Sequence, residues 1–219
     1  MKMNYRKINE KVADKLTLSQ IYGYYVLAMK SDYSTDESHI NQTTLAELVG
    51  VNERTIKRWI KAYSDNGLLD IKTEHIKKDS KQSVKKNTYY LNTETYKLIG
   101  DGLLNLDCSI ELKGFLILLK CRCFNCTNII KYSQRELAKT CAISHPTISF
   151  YLNKCLELGF IKEVDGGYEL VNTEIFIPHK QSLYYSVLKN YPAILTDEDI
   201  ECHKIFNNKE EYLKYCNSL

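Results

Sequence analysis

LAELVGVNERTIKRWIKAYSDNGLL spans Leu45–Leu69, and LAKTCAISHPTISFYLNKCLELGFI spans Leu137–Ile161. Laid together without a gap, Leu45 meets Leu137, Ala46 meets Ala138, Thr55-Ile56 meets Thr147-Ile148 and Gly67 meets Gly159, each pair 92 residues apart. The register reaches back to Gln42 with Gln134 and to Thr17 with Ser109. A fixed offset held over this length marks an internal repeat, so the chain carries two units of similar fold.

Local signals give each unit its elements. Thr17-Leu18-Ser19-Gln20 has the form of a capping box and opens a helix through Ile21, Tyr24, Tyr25 and Leu27 to about Lys30. Its counterpart starts at Ser109 and runs through Leu112, Phe115, Leu116 and Leu119. A polar connection leads to a short helix near Thr44–Val49, and Gly50-Val51-Asn52 then makes a turn in which Asn52 caps the next helix. That helix sets Ile56, Ile60 and Tyr63 on one side, the buried stripe of an amphipathic helix. In the second copy Ser144 is the cap, Pro146 sits in the tolerant first turn, and Ile148, Leu152 and Cys155 point inward. After the glycine each copy turns β-like. Ile161–Val164 and Tyr168–Val171 flank a glycine turn, and Leu69–Thr73 and Thr88–Leu91 are the matching strands.

Three helices followed by a β-hairpin is the winged form of the helix-turn-helix. The fold class is therefore mainly α with small β-hairpin wings, an α+β arrangement of two such domains in tandem plus C-terminal helices. Residues 1–104 form a domain with a long basic wing, 105–175 one with a short acidic wing, and 176–219 a helical extension. TTLAELVGVNERTIKRWIKAYSDNGLL resembles the winged helix-turn-helix of plasmid and phage replication proteins and related bacterial regulators. The resemblance covers roughly residues 15–95 and 107–173. It implies a protein that binds double-stranded DNA, as a replication initiator of a mobile element or as a transcription regulator. Winged helices also serve as protein-interaction or dimerisation modules, so a scaffold without DNA contact is the alternative.

Charge is unevenly placed. The chain of 219 residues has a formal net charge of only +3. Residues 1–104 hold 17 basic against 13 acidic side chains, and the stretch Arg54–Lys86 alone holds ten against four. A basic patch confined to one part of a domain is the footprint of phosphate contact, although a solvated lysine loop gives the same run. In a helix-turn-helix the second helix enters the major groove by its N-terminal part. There the outward face carries Asn52, Arg54, Lys57, Arg58 and Lys61, with Glu53 among them. Arg and Lys suit guanine O6/N7, and Asn suits adenine. The first hairpin is about twelve residues longer than the second, and the surplus, HIKKDSKQSVKKN, brings Lys77, Lys78, Lys81, Lys85 and Lys86 as a long, flexible tip for a phosphate backbone or minor groove.

The second copy replaces Arg54, Lys57, Arg58 and Lys61 by Pro146, Ser149, Phe150 and Asn153, and its wing reads EVDGGYE. Two readings stay open. His145, Thr147, Ser149 and Asn153 form a secondary recognition face with Phe150 against a thymine methyl, or the face is a protein-binding or homodimer surface.

Cys121-Arg122-Cys123-Phe124-Asn125-Cys126 draws three thiols together, with Cys108, Cys141 or His145 as a possible fourth zinc ligand. No second CxxC pair accompanies them. Cys121 ends an apolar helix and Cys141 and Cys155 fall on core positions, so no metal is assigned and no cofactor is implied. Nucleotide and metalloprotease motifs are missing and no small-molecule substrate is evident, which reads as a protein that is not an enzyme. With no apolar run of membrane-spanning length and no signal-peptide core at the start, a cytoplasmic location is expected. SLYYSVLKNY (Ser182–Tyr191), DEDIECHKIF (Asp197–Phe206) and KEEYLKYC (Lys209–Cys216) read as helical pieces that pack on the second domain or form a dimer contact.

Overall fold

The computed structural model describes residues 4–78, 82–123 and 127–178. It is a mixed α+β chain, with seven α-helices among the described residues and small antiparallel sheets. The chain divides into two compact units, residues 1–118 and 119–219. The division falls inside a helix, whereas the sequence reading drew its boundary after residue 104. The C-terminal pieces read from the sequence lie outside the described residues.

In the first unit, β1 (Tyr5–Asn9) and α1 (Val12–Lys15) precede α2 (Leu18–Met29). Gln20 Oε1 accepts the Thr17 backbone N–H at 2.9 Å, so the capping box forms as read. Every residue from Ile21 to Met29 is buried, as befits a helix covered all round. The short strand β2 (Glu37–Ser38) leads to α3 (Gln42–Val49). This helix starts two residues earlier than the sequence suggested, because Asn41 accepts the Thr44 N–H at 2.7 Å and caps it there. Then follow α4 (Glu53–Asp65), β3 (Leu69–Lys78), β4 (Gln82–Leu91), β5 (Tyr96–Gly100) and a 3-10 turn at Asp101–Asn105. The strands β2, β4 and β3 form one antiparallel sheet in that order.

The repeat is visible in the element boundaries. α5 (Ile110–Cys121) begins and ends 92 residues after α2, and β6 (Ile129–Ile130) lies 92 after β2. α6 (Gln134–Thr140) starts 92 after α3, α7 (His145–Glu157) matches α4 at both ends, and β7 (Ile161–Val164) opens 92 after β3. β8 (Gly167–Leu170) lies between β6 and β7, giving the order β6-β8-β7, the same topology as in the first unit. Side-chain bonds repeat as well. Gln42 Nε2 donates to the Tyr89 hydroxyl at 3.2 Å, and Gln134 Nε2 to the Tyr168 hydroxyl at 3.3 Å. In each unit this ties the first turn of the shorter helix to the hairpin's second strand. A further strand, β9 (Phe176–Ile177), ends the described chain.

The hairpins differ in length and kind. The first occupies residues 69–91 and the second residues 161–170, a difference of thirteen. Val171, inserted before Asn172, then gives one residue back, which is why the asparagine turns at Asn92 and Asn172 stand 80 apart. Most of the basic surplus lies on paired strands, and Asp79, Ser80 and Lys81 of its tip lie outside the described residues. The ladder continues without a break from Leu69↔Leu91 to Lys78↔Gln82. Thr73 Oγ1 donates to Asn87 Oδ1 at 3.0 Å across the strands.

The strands β1 and β5 escaped the sequence reading. They pair from Tyr5↔Gly100 to Asn9↔Tyr96, and side-chain bonds fasten them to the rest of the unit. The Tyr25 hydroxyl donates to Gly100 O at 2.7 Å, Asn9 Nδ2 to Asn92 O at 2.8 Å, and Lys7 Nζ meets Asp36 at 2.9 Å. In α5, Ser19 Oγ donates to Glu111 Oε1 at 3.0 Å, which groups the helix's first turns with α2 in the first unit.

Two positions decide how these helices seat. A Cβ at Gly23 of α2 would lie 2.8 Å from the Trp59 ring and from the Tyr63 hydroxyl, so only glycine lets α4 approach so closely. The turn between α3 and α4 uses Gly50 at φ 80°, and its counterpart Ala142 holds φ 52° despite its Cβ. There α6 also ends one residue short of the α3 pattern. A non-glycine residue in this region costs roughly 1–2 kcal/mol. Thermal or denaturant unfolding is therefore expected to find Ala142→Gly more stable by about 1 kcal/mol, net of glycine's larger unfolded-state entropy. Gly23→Ala is expected to be less stable by about 1–3 kcal/mol, the usual cost of overpacking.

Candidate nucleic-acid interface

The helix α4 is sharply two-sided. Ile56, Ile60 and Tyr63 are at most 3% exposed. The Tyr63 hydroxyl donates to Gln20 O at 2.7 Å, its ring meets Tyr24 edge-on, and burial pushes its pKa far up, so it stays neutral. Burying each of these side chains contributes about 1.5–3 kcal/mol, enough to fix the helix's rotation about its axis. What remains outside is Asn52, Arg54, Lys57, Arg58 and Lys61, all exposed. The cap and four outward positions of this helix are thus set by three inward ones.

These outward residues are not equivalent. Asn52 spends its side-chain oxygen on the Thr55 N–H at 2.8 Å, capping its own helix, which leaves its amide group as a donor. Lys57 Nζ lies 2.7 Å from Glu53 Oε1, one turn earlier. Glu53 Oε2 accepts the Thr43 hydroxyl at 2.9 Å. The hydrogen bonds from Lys57 and Thr43 hold the Glu53 carboxyl below the usual carboxylate range, so it is ionised at neutral pH. Arg58 leans on Thr55 Oγ1 at 3.4 Å.

An open cleft of about 1050 Å³ lies between α4, the head of α3 and the sheet formed by β2, β3 and β4. Lys57 and Lys61 line it from the helix, Lys86 from the hairpin, His39 and Asn41 from the segment leading into α3, and Thr43 from the first turn of α3. Its floor is Ile60, Ile71 and Tyr89, and its two acids are Glu53 and Asp65. The structure thus brings Lys57, Lys61 and Lys86 to one cleft, while Arg54 and Arg58 are exposed on the same helix. Of the remaining hairpin lysines, Lys77, Lys78 and Lys85 take ladder positions opposite Ser83, Gln82 and His75. Lys81 lies outside the described residues.

Sequence reasoning missed the part played by His39, Asn41 and Thr43. Asn41 is a legible cap signal, and Glu53 four residues before Lys57 is a legible ion-pair spacing. Their meeting at one cleft depends on the fold of the sheet.

On α7 the matching face is neutral. His145, Phe150 and Asn153 are exposed, while Thr147 and Ser149 are half-buried. The Thr147 hydroxyl lies 2.7 Å from that of the Ser144 cap, so it serves the helix start. Phe150 is 59% exposed, packs edge-on to Tyr151, and lies under the Lys154 ammonium at 6.0 Å. On the short hairpin Lys162 pairs with Glu169 at 2.8 Å. Cys121, Cys123, Cys141 and Cys155 are buried, and Cys126 lies outside the described residues. No group of metal-ligating side chains occurs among the described residues, and none of their helices is long and apolar enough to cross a membrane.

Asn52→Ala is expected to lower stability by about 1 kcal/mol in denaturant unfolding, and Asn52→Asp to restore most of it, because the cap oxygen is what matters. No family model matches this chain, and no curated protein matches it.

Proposed function

We propose that the chain is a sequence-specific double-stranded DNA-binding protein built of two winged helix-turn-helix units, acting as a mobile-element replication initiator or a transcription regulator. In this reading α4 is the recognition helix of the first unit and the β3–β4 hairpin its wing. The observation that carries it is the joint exposure of Arg54, Lys57, Arg58 and Lys61 on one face of α4, beside a cleft that Lys86 of the hairpin also lines. Phosphates bind such a surface by releasing counterions, and arginines at the helix head suit guanine edges. The first unit supplies most of the affinity. The reading has no catalytic role, cofactor or metal in it.

A second reading is favoured in the second unit alone. The exposed Phe150 and the acidic hairpin suit an apolar contact, either a thymine methyl or a partner protein such as a second copy.

Titrating salt against duplex binding tests the proposal. Six phosphate contacts give a log–log slope near −5, whereas a protein-interaction scaffold gives almost no affinity and no slope. Arg54→Ala with Arg58→Ala is expected to weaken binding by about 100-fold, from two lost contacts of about 1–3 kcal/mol each. Ser149→Ala with Phe150→Ala is expected to cost far less. Equal losses would refute the division of labour.

A further inference from the structure

Four cations on a recognition helix would bind any duplex, yet a carboxylate stands in their midst. Glu53 opens α4, and both of its oxygens are held, one by Lys57 Nζ at 2.7 Å and the other by the Thr43 hydroxyl at 2.9 Å. The second holder comes from a different helix, so the carboxylate is fixed in direction as well as in place. Its position at the N-terminal end of α4 is the part of such a helix that meets base edges. The second unit has nothing comparable. There His145 stands for Glu53, Arg135 for Thr43 and Ser149 for Lys57. The acid occurs only in the copy that has the cations.

Resting on the DNA-binding reading, we propose that Glu53 is a specificity-determining residue, which suppresses indiscriminate phosphate binding and selects a base that offers a hydrogen-bond donor. Two effects act together. An ionised carboxylate repels phosphates and the acceptor edges of guanine O6/N7 and thymine O4, while it accepts from cytosine N4 or adenine N6. It also occupies Lys57, which must leave a short ion pair before it can reach a phosphate. Lys57 therefore adds less to non-specific affinity than Lys61, which has no ion pair among the described residues. On a site with the right base, the donor replaces Lys57 at Glu53, and the freed ammonium is available to the backbone. Selection of the base and recruitment of the lysine are one event.

The test is a double-mutant cycle on the full chain, with wild type, Glu53→Gln, Lys57→Gln and the double variant titrated against a random-sequence duplex over a range of salt. Glutamine keeps the size and the bond to Thr43 but removes the charge. Glu53→Gln is expected to bind the random duplex roughly 8-fold more tightly at about 0.1 M salt, with a slope steeper by about one, as one further lysine reaches a phosphate. Lys57→Gln alone is expected to weaken binding, because Glu53 then faces the phosphates unpaired, and Lys57→Gln in the Glu53→Gln background is expected to abolish the gain. In a selection from randomised duplexes Glu53→Gln is expected to enrich a broader set than wild type. Unchanged affinity, slope and selection in Glu53→Gln, with wild type still binding DNA, would overturn the role of Glu53 and leave the DNA-binding reading standing. Wild type with no salt-dependent binding would overturn both. A purely structural role would shift the unfolding transition without moving the slope or the coupling between the two positions.

Discussion

The seat of α4 on α2 is the constraint from which the rest of the first unit follows. Gly23 opens a gap in α2, the Trp59 ring and the Tyr63 hydroxyl fill it, and Ile56 and Ile60 of the same helix as Trp59 are buried as well. Once these side chains are buried, the helix can neither roll nor slide. The same burial that stabilises the unit therefore decides which side chains face water. Arg54, Arg58 and Lys61 are outside because Ile56, Ile60 and Tyr63, which share the other face of the helix, are inside.

A second, smaller constraint joins α3 to the sheet. The Gln42–Tyr89 bond and its counterpart Gln134–Tyr168 connect a helix start to a strand in both units, although the residues around them have diverged. Caps behave in the same way. Asn41 and Ser133 are different residues at one position, as are Asn52 and Ser144, and each pair uses a side-chain oxygen to satisfy a helix's first N–H groups. The repeat thus preserves chemical function at the joints and releases identity on the outer faces.

This explains what could be read from the sequence. Periodicity in α4 and α7, glycines after both helices and the constant offset of 92 fix the repeated helices to within a residue or two, whereas the single turn of α1 is not read. The hairpin strands were under-read because a run of lysines suggests solvent, whereas cross-strand pairing sustains a ladder through them. β1 and β5 were not legible at all. Tyr5–Asn9 finds its partner some ninety residues along the chain, and no local pattern encodes a pairing that distant. The exposed face of α4 was legible residue by residue, but the cleft was not. His39, Asn41 and Thr43 reach it only because β2 joins the sheet beside β4.

The unequal hairpins have a consequence of their own. Ten paired residues at about 3.3 Å each make a ribbon of roughly 30 Å, whereas the four-residue strands of the other copy span about 13 Å. Length has been added at the open end of a ladder, where pairing can be extended without moving anything at its base, and the helices ahead of both hairpins keep matching bounds.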